Sequence, residues 1–146
     1  LREAQATLIP EFVLQDQHGQ TVHRRDLLGK VWVVTFAHGR DETRIQRAIE
    51  RAAPIFALTS PKANVTGVVV GAEPLGEVAE LDERWLLLVG DSSRVVDLMR
   101  VGFGADLGER IVFVDRKGSV RGSVDPTDKR YVEEALTLIK HLLAER

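Results

Sequence analysis

The sequence predicts an α/β protein of three layers, with an N-terminal β-hairpin and helices on both faces of one mixed sheet. Apolar runs rich in β-branched residues alternate with segments of helical spacing, which indicates strands that alternate with helices. A second hairpin pattern comes late in the chain, just before a C-terminal amphipathic segment. Because no internal repeat or low-complexity linker divides the 146 residues, we expect a single domain over residues 1–146.

The first half of the chain predicts a hairpin, a buried strand and a helix. "EFVL" (11–14) and "TVH" (21–23) flank a His18-Gly19 turn, and "DLLGK" predicts one helical turn closed by glycine. "VWVVTF" predicts a central strand that is buried on both faces. The following helix should be kinked or ended by Pro54. Its predicted buried stripe consists of Ile45, Ala48, Ile49, Ala52 and Ala53.

The second half predicts two more buried strands, a helix, a hairpin and a final helix. "VTGVVVGAE" and "RWLLLVG" are the strands, and "DSSRVVDLMRVGFG" is a helix capped by Asp91 or Ser92. "ERIVFVDRKGSVRGSVD" predicts the hairpin, and Thr127 or Asp128 the cap of the last helix. The buried stripe of that helix consists of Tyr131, Ala135, Leu138, Ile139 and Leu142.

The composition excludes several classes of function. A formal net charge of −2 gives no basic excess that would argue for nucleic-acid binding. No apolar run approaches the roughly 20 residues of a membrane span. The chain has 0 cysteines, so disulfide exchange, thiol peroxidase chemistry and thiolate metal sites are ruled out within it.

Three phrases, in order along the chain, resemble those of the SCO/SenC family of copper-delivery and thiol-redox proteins of cytochrome c oxidase assembly. "IPEFVLQDQHGQTVHRRDLLGKVWVVTF" resembles the family's opening, (P)xFxLxDxxGxxV followed by xxLxGKVWVxxF. "RWLLLVGDSSRVVDLMRVGFG" resembles its RWxFLTGD strand and helix, and "RIVFVDRKGSVRGSVDPTD" its closing hairpin. The resemblance runs from about Ile9 to Leu143 and implies a thioredoxin-like fold of the peroxiredoxin type.

The copper ligands of the family are replaced in this chain. Matching on Phe36 places Asp41 and Ile45 at the two cysteines of the C-x-x-x-C pair, and Leu107 at the histidine ligand. The resemblance therefore implies a degenerate member without a cofactor, acting as a non-catalytic binding or assembly module. We expect Ile45 to be buried in the core and Asp41 to be a helix-terminal acid.

The resemblance also implies a partner and a location. The partner would be a protein, such as an oxidase subunit or an assembly factor. The domain would face the periplasm or another extracytoplasmic space. Since the chain begins at Leu1, we expect membrane attachment only through an N-terminal anchor outside this sequence.

Two alternatives remain open. His38, Asp41 and Glu42 could form a non-thiol metal site, although acids in the first turn of a helix are simply favoured by its dipole. The chain could instead be an inactive peroxiredoxin-like relative of the AhpC/TSA type. Separately, "RRDLLGK" and "DRKGSVRG" carry basic residues that a partner or an anionic lipid could use, while solvated charge is the simpler interpretation.

Overall fold

The computed structural model describes residues 2–37, 43–60, 62–72, 83–91, 93, 95 and 110–145, without the side chains of residues 2–7 and 44. Its strands are β1 (Arg2–Leu8), β2 (Val13–Gln15), β3 (Thr21–His23), β4 (Val31–Ala37), β5 (Val65–Ala72), β6 (Trp85–Gly90), β7 (Ile111–Val114) and β8 (Ser119–Val124). Two long helices, α1 (Arg44–Ala57) and α2 (Tyr131–Ala144), and a 3-10 helix (Arg24–Leu27) complete the described elements.

The eight strands form one mixed sheet in the order β1-β8-β7-β4-β5-β6-β2-β3. The central strands β4, β5 and β6 are parallel, whereas the pairs on either side of them are antiparallel. The parallel strands all finish at one end of the sheet, which we call the site end, and begin at the other, which we call the opposite end.

Strand β4 holds the centre of the core, as "VWVVTF" predicts. Six consecutive residues are buried, because the strand has neighbours on both sides and packed layers on both faces. Successive side chains alternate, so Val31 and Val33 join one hydrophobic cluster while Trp32 and Val34 join the other.

Both long helices cover the same face of the sheet. Ala48 and Ala52 of α1 meet the cluster that also contains Ala135 and Leu138 of α2, and the hydroxyl of Tyr131 donates to the carbonyl of residue 51 at 3.1 Å. The second face is covered by residues from the hairpin, from the 3-10 helix and from the segment after β6: Leu14, Val22, Leu27 and Val95. The predicted α/β class with its mixed sheet and N-terminal hairpin is confirmed. Helices were expected on both faces, whereas the two long helices described lie on one, and the helix predicted over residues 91–104 lies mostly outside the described residues.

The hairpin is joined to β6 by a side chain as well as by strand pairing. Direct pairing is limited to Gln15 opposite Val89. Beyond it, the amide of Gln17 accepts from the N–H of Leu87 at 3.1 Å and donates to the carbonyl of Trp85 at 3.2 Å. This side chain satisfies backbone groups on the β6 edge that none of the described strands pairs with.

The N-terminal strand was not predicted from the sequence. Residues 2–8 pair antiparallel with β8, from Arg2 opposite Ser123 to Leu8 opposite Ser119. Their sequence, REAQATL, carries little apolar signal because an edge strand is held chiefly by backbone hydrogen bonds. The predicted first strand is also shifted, since β2 begins at Val13.

Two features of the helices also differ from the predictions. Helix α1 continues past Pro54 to Ala57, so Ile55 and Phe56 are buried and Ala53 is exposed, contrary to the predicted stripe. Helix α2 begins only at Tyr131, with Arg130 as its N-cap. The two residues expected to cap it lie in a preceding turn in which Asp125 accepts hydrogen bonds from the N–H and hydroxyl of Thr127.

Among the described residues, no helix combines the length and the apolar character needed to cross a membrane.

Candidate functional site

The site end of the sheet is where the fold would bind a ligand. Open α/β sheets bind ligands outside the carboxyl ends of their parallel strands. Here those ends are Ala37, Ala72 and Gly90. The predicted site residues His38, Asp41, Glu42 and Leu107 lie outside the described residues, as does the predicted cap Ser92.

Ile45 is the one predicted site position that the structure describes. Its side chain is 6% exposed and belongs to the cluster between α1, α2 and the sheet. The prediction that Ile45 is a core residue is therefore confirmed. A hydrocarbon side chain in this place contributes about 2 kcal/mol of apolar burial and offers no atom for a metal or for electron transfer.

Thr35 brings a polar group into the core just before the site end. The residue is 2% exposed and lies two positions before the last residue of β4. Its hydroxyl has no hydrogen-bond partner among the described residues. Strand alternation puts it on the face of Val31 and Val33, which α1 and α2 cover. In the sequence, Thr35 is inconspicuous, because threonine is a common strand residue.

A cavity of about 260 Å³ opens beside the end of β6. It is lined by Val13, Leu14, Gln15, Thr21, Val89, Gly90 and Asp91. The Asp91 carboxylate accepts a hydrogen bond from the hydroxyl of Ser93 at 2.6 Å, and the Asp91 carbonyl accepts from the N–H of Val95. The described residues that line the cavity supply one carboxylate, and their other groups are neutral. They contain neither a nucleophile paired with a base nor a set of metal ligands.

The donor atoms of this chain do not fit a copper(I) site. Copper(I) prefers thiolate and thioether sulfur, and the sequence contains 0 cysteines and 1 methionine. In the described part of the chain, no three His, Asp or Glu side chains are grouped so that they could hold a metal ion.

A second charged group at the site end fixes the turn after β8. Hydrogen bonds from the hydroxyl and N–H of Thr127, together with the charge of Arg110, hold the pKa of Asp125 below its ordinary value. Arg110 also donates to the hydroxyl of Ser123 at 2.8 Å. These contacts hold together the segment before β7 and the segment after β8, at the open end of the β7–β8 hairpin. Their role is structural.

A network of coupled charges lies at the opposite end. Arg121 donates to Asp115 at 3.1 Å and to Glu145 at 2.8 Å. Its guanidinium holds the pKa of Glu145 below the ordinary value, and the two carboxylates raise the pKa of Arg121. Sequence reasoning missed this network, because Arg121 and Glu145 are 24 positions apart and belong to different elements.

Similarity to solved structures extends along the whole chain. BsSco, a member of the Sco family of cytochrome c oxidase assembly proteins with a disulfide switch, is 15% identical, with a TM-score of 0.75 over 100% of this chain and 99% of its own. Yeast Sco1 with copper bound is 13% identical, with a TM-score of 0.74 over 98% and 97%. A SCO1/SenC family lipoprotein from Bacillus anthracis str. Ames is 19% identical, with a TM-score of 0.67 over 96% of each chain.

No protein-family model and no curated protein sequence matches the chain. At identities of 13–19%, the structural similarity shows the fold. The thioredoxin-like fold expected from the three sequence phrases is thus confirmed as that of the Sco structures, and the peroxiredoxin-like alternative is not favoured.

Proposed function

We propose that this chain is a Sco-type domain that serves cytochrome c oxidase assembly as a binding module, without thiol or copper chemistry of its own. The observation that carries the proposal is the combination of a Sco fold over the full length of the chain with a sequence that has 0 cysteines. A thiolate is the nucleophile of disulfide exchange and the preferred ligand of copper(I), so its loss removes both activities.

The packing of Ile45 supports this proposal. A site that had only exchanged one ligand for another would keep polar donors around the same pocket. At this position the side chain is instead an apolar part of the core, 6% exposed. The hard-ligand alternative built on His38, Asp41 and Glu42 concerns residues outside the described part of the chain, and we do not propose it.

The proposed partner is a protein of the oxidase assembly machinery, either an oxidase subunit or an assembly factor. An extracytoplasmic location is supported by the fold shared with the Bacillus anthracis lipoprotein. Binding without chemistry needs only a complementary surface, which a domain with an intact core can offer even when its former reactive centre is gone.

Deletion of the encoding gene tests the proposal. We expect less assembled oxidase, measured from the haem spectrum and copper content of washed membranes, and recovery when the cysteine-free chain is supplied again. A chain carrying Ile45→Asp, which places a carboxylate in the core, is the unfolded control and should not restore assembly. Oxidase levels that do not change on deletion would contradict the proposal.

Metal titration separates the proposal from the hard-ligand alternative. Calorimetry with copper(I), copper(II), zinc and cobalt should detect no site tighter than about 1 mM, which corresponds to about 4 kcal/mol of binding free energy. Tighter binding that disappears in the His38→Ala variant would favour the alternative. The same variant should leave oxidase assembly unchanged if the module acts by protein binding alone.

A further inference from the structure

The opposite end of the molecule carries exposed leucines. Among the described residues, four large apolar side chains are notably exposed, and three of them lie at this end: Leu8 (55%), Leu28 (43%) and Leu58 (70%). Leu8 ends β1, Leu28 follows the 3-10 helix, and Leu58 follows α1. Single exposed leucines are ordinary, so their significance depends on what surrounds them.

Leu8 and Leu28 are neighbours across a tight turn. The N–H of Gly29 donates to the carbonyl of Arg116 at 2.8 Å, which joins the segment after the 3-10 helix to the β7–β8 turn. A Cβ added to Gly118 would lie 3.2 Å from Leu28 Cδ2 and 3.7 Å from Leu8 Cδ1. Gly118 has a φ of 85°, so the turn itself requires glycine. The two leucines therefore flank one turn.

Exposed cations lie at the same end as the three leucines. Arg25 and Lys30 come from the segment beside Leu28, Lys117 from the turn, and Lys62 from the connection that follows Leu58. All four are exposed, and none forms an ion pair with another described residue. The two basic loops that the sequence predicted therefore meet at one surface.

The nearby acids only partly offset these cations. Glu11 lies 3.6 Å from Arg24, and Glu145 is bound by Arg121. Asp26 is exposed and keeps its negative charge, although it accepts a hydrogen bond from the N–H of His23 at 2.7 Å. Glu83 lies at this end just before β6, and its neighbour Arg84 donates to the carbonyl of Thr59, beside Leu58. Asp26 and Glu83 offset only part of the charge of the four exposed cations, so the surface around the leucines is positive on balance, although the whole chain has a net charge of −2.

We propose that this surface binds a membrane that exposes anionic lipid headgroups. We call it the basic leucine surface and define it as Leu8, Arg25, Leu28, Lys30, Leu58, Lys62 and Lys117. Three of its four cations are lysines, which act as mobile point charges and do not require the fixed two-point geometry of an arginine pair. Such cations suit a fluid array of lipid phosphates, while the leucines enter the boundary between headgroups and acyl chains.

This binding mode has a geometric consequence. A domain that lies on a membrane through the opposite end presents the site end, with Ala37, Ala72 and Gly90, away from the lipid. The inference is independent of the proposed function, because vesicle binding and oxidase assembly are measured separately.

Vesicle sedimentation with the full chain tests the proposal. Vesicles of phosphatidylcholine alone are compared with vesicles containing about 30% phosphatidylglycerol, at low salt and again at about 0.5 M salt. We expect at least about tenfold tighter binding to the anionic vesicles, and most of that gain should disappear at high salt because exposed charges are screened.

Two matched pairs of variants locate the surface. The double variant Lys30→Glu/Lys117→Glu should lose the anionic preference, whereas Lys129→Glu/Arg130→Glu, with the same change of charge at the site end, should keep it. Likewise, Leu28→Ser should weaken binding about threefold or more, and Val13→Ser, an equally exposed position beside the site-end cavity, should not. Thermal unfolding confirms that each variant is folded.

Several results would overturn the proposal: equal binding to neutral and anionic vesicles, equal loss in the test and control variants, or no binding to anionic vesicles at low salt. In the last case, the basic leucine surface does not recognise lipid.

Discussion

Arg121 and Glu145 join strand β8 to the end of helix α2, with Nη2 of the arginine 2.8 Å from Oε2 of the glutamate. The same guanidinium reaches Asp115, whose side chain is only 8% exposed. Arg116 donates to the carbonyl of Leu143 at 3.0 Å, so two arginines of one hairpin hold the last turn of the helix.

We expect Arg121→Met to destabilise the protein by about 1–2 kcal/mol, since it removes charge-assisted hydrogen bonds that are partly shielded from water. Asp115 retains the N–H groups of Lys117 and Ser119 as partners, which limits the loss. The measurement is urea unfolding at neutral pH. The control is Arg130→Met, which breaks an ion pair whose side chains are both 70% exposed and should cost less than about 0.5 kcal/mol. Equal losses in the two variants would mean that the Arg121 network is an ordinary surface pair.

The lowered pKa of Glu145 predicts a particular dependence of stability on pH. Its ordinary value is 4.5, and the hydrogen bond from Arg121 lowers the pKa in the folded state. The stabilisation is therefore fully present above pH 4.5 and is lost as the pH falls through the folded-state value. Urea midpoints measured from neutral pH to about pH 3 should fall less steeply for Glu145→Gln than for the unmodified chain. The urea midpoint of Glu145→Gln should still fall with decreasing pH, because Asp125 also has a lowered pKa in the folded state. Parallel curves would contradict the assignment.

Gly67→Ala should destabilise the protein by about 1–3 kcal/mol, because the added methyl overpacks a rigid contact. The new Cβ would lie 2.6 Å from Cε3 of Trp85. That ring is held against Phe56 at a centroid distance of 5.0 Å and cannot easily move away. Unfolding in urea measures the loss, and Trp85→Leu in the Gly67→Ala background should recover part of it.

Gly90→Ala is the matched control for that prediction. Its Cβ would meet Cδ2 of Leu14, a terminal methyl that can rotate away. The loss should therefore be smaller than at Gly67. A larger loss at Gly90 would show that the space beside Leu14 is the more rigid of the two.

Thr35→Val should stabilise the protein by up to about 1 kcal/mol, because the buried hydroxyl has no partner among the described residues and valine has nearly the same shape. Thr59→Val provides the contrast. The Thr59 hydroxyl is also buried but donates to the carbonyl of Ile55 at 2.8 Å, so its removal should cost about 1 kcal/mol. Thermal unfolding of the two variants should shift in opposite directions. Destabilisation by Thr35→Val would show that its hydroxyl has a partner after all.

Local chemistry made much of the fold predictable. The two hairpin turns share the pattern D-x-x-G, and in both the aspartate accepts N–H groups two and four residues later: Asp16 from His18 and Gln20, Asp115 from Lys117 and Ser119. Such turns form from adjacent residues and leave a clear sequence signal. The apolar run of β4 was an equally clear signal of a buried strand.

Long-range pairing was the part that the sequence did not reveal. Strand β1 forms because it pairs with β8, with Arg2 opposite Ser123. Helix α2 starts late because Thr127 is hydrogen-bonded to Asp125 in the preceding turn. Ser123 is far in sequence from the strand it shapes. The turn at Asp125 is close to α2, but its residue types did not mark it as the feature that delays the helix. At the candidate site, Ile45 followed its apolar helical spacing into the core. Thr35 gave no such signal, because only its surroundings make a hydroxyl there unusual.

The amide of Gln17 acts as a one-residue substitute for a strand. Since the N–H of Leu87 is bound by this side chain, its protection from solvent depends on the docking of the hairpin as well as on the stability of the sheet. Undocking of residues 13–23 would free that N–H for hydrogen exchange while β5 stayed paired with β6. The β6 edge can therefore open in a local event that also uncovers Gly90, whose backbone is closely packed against Leu14 of the same hairpin.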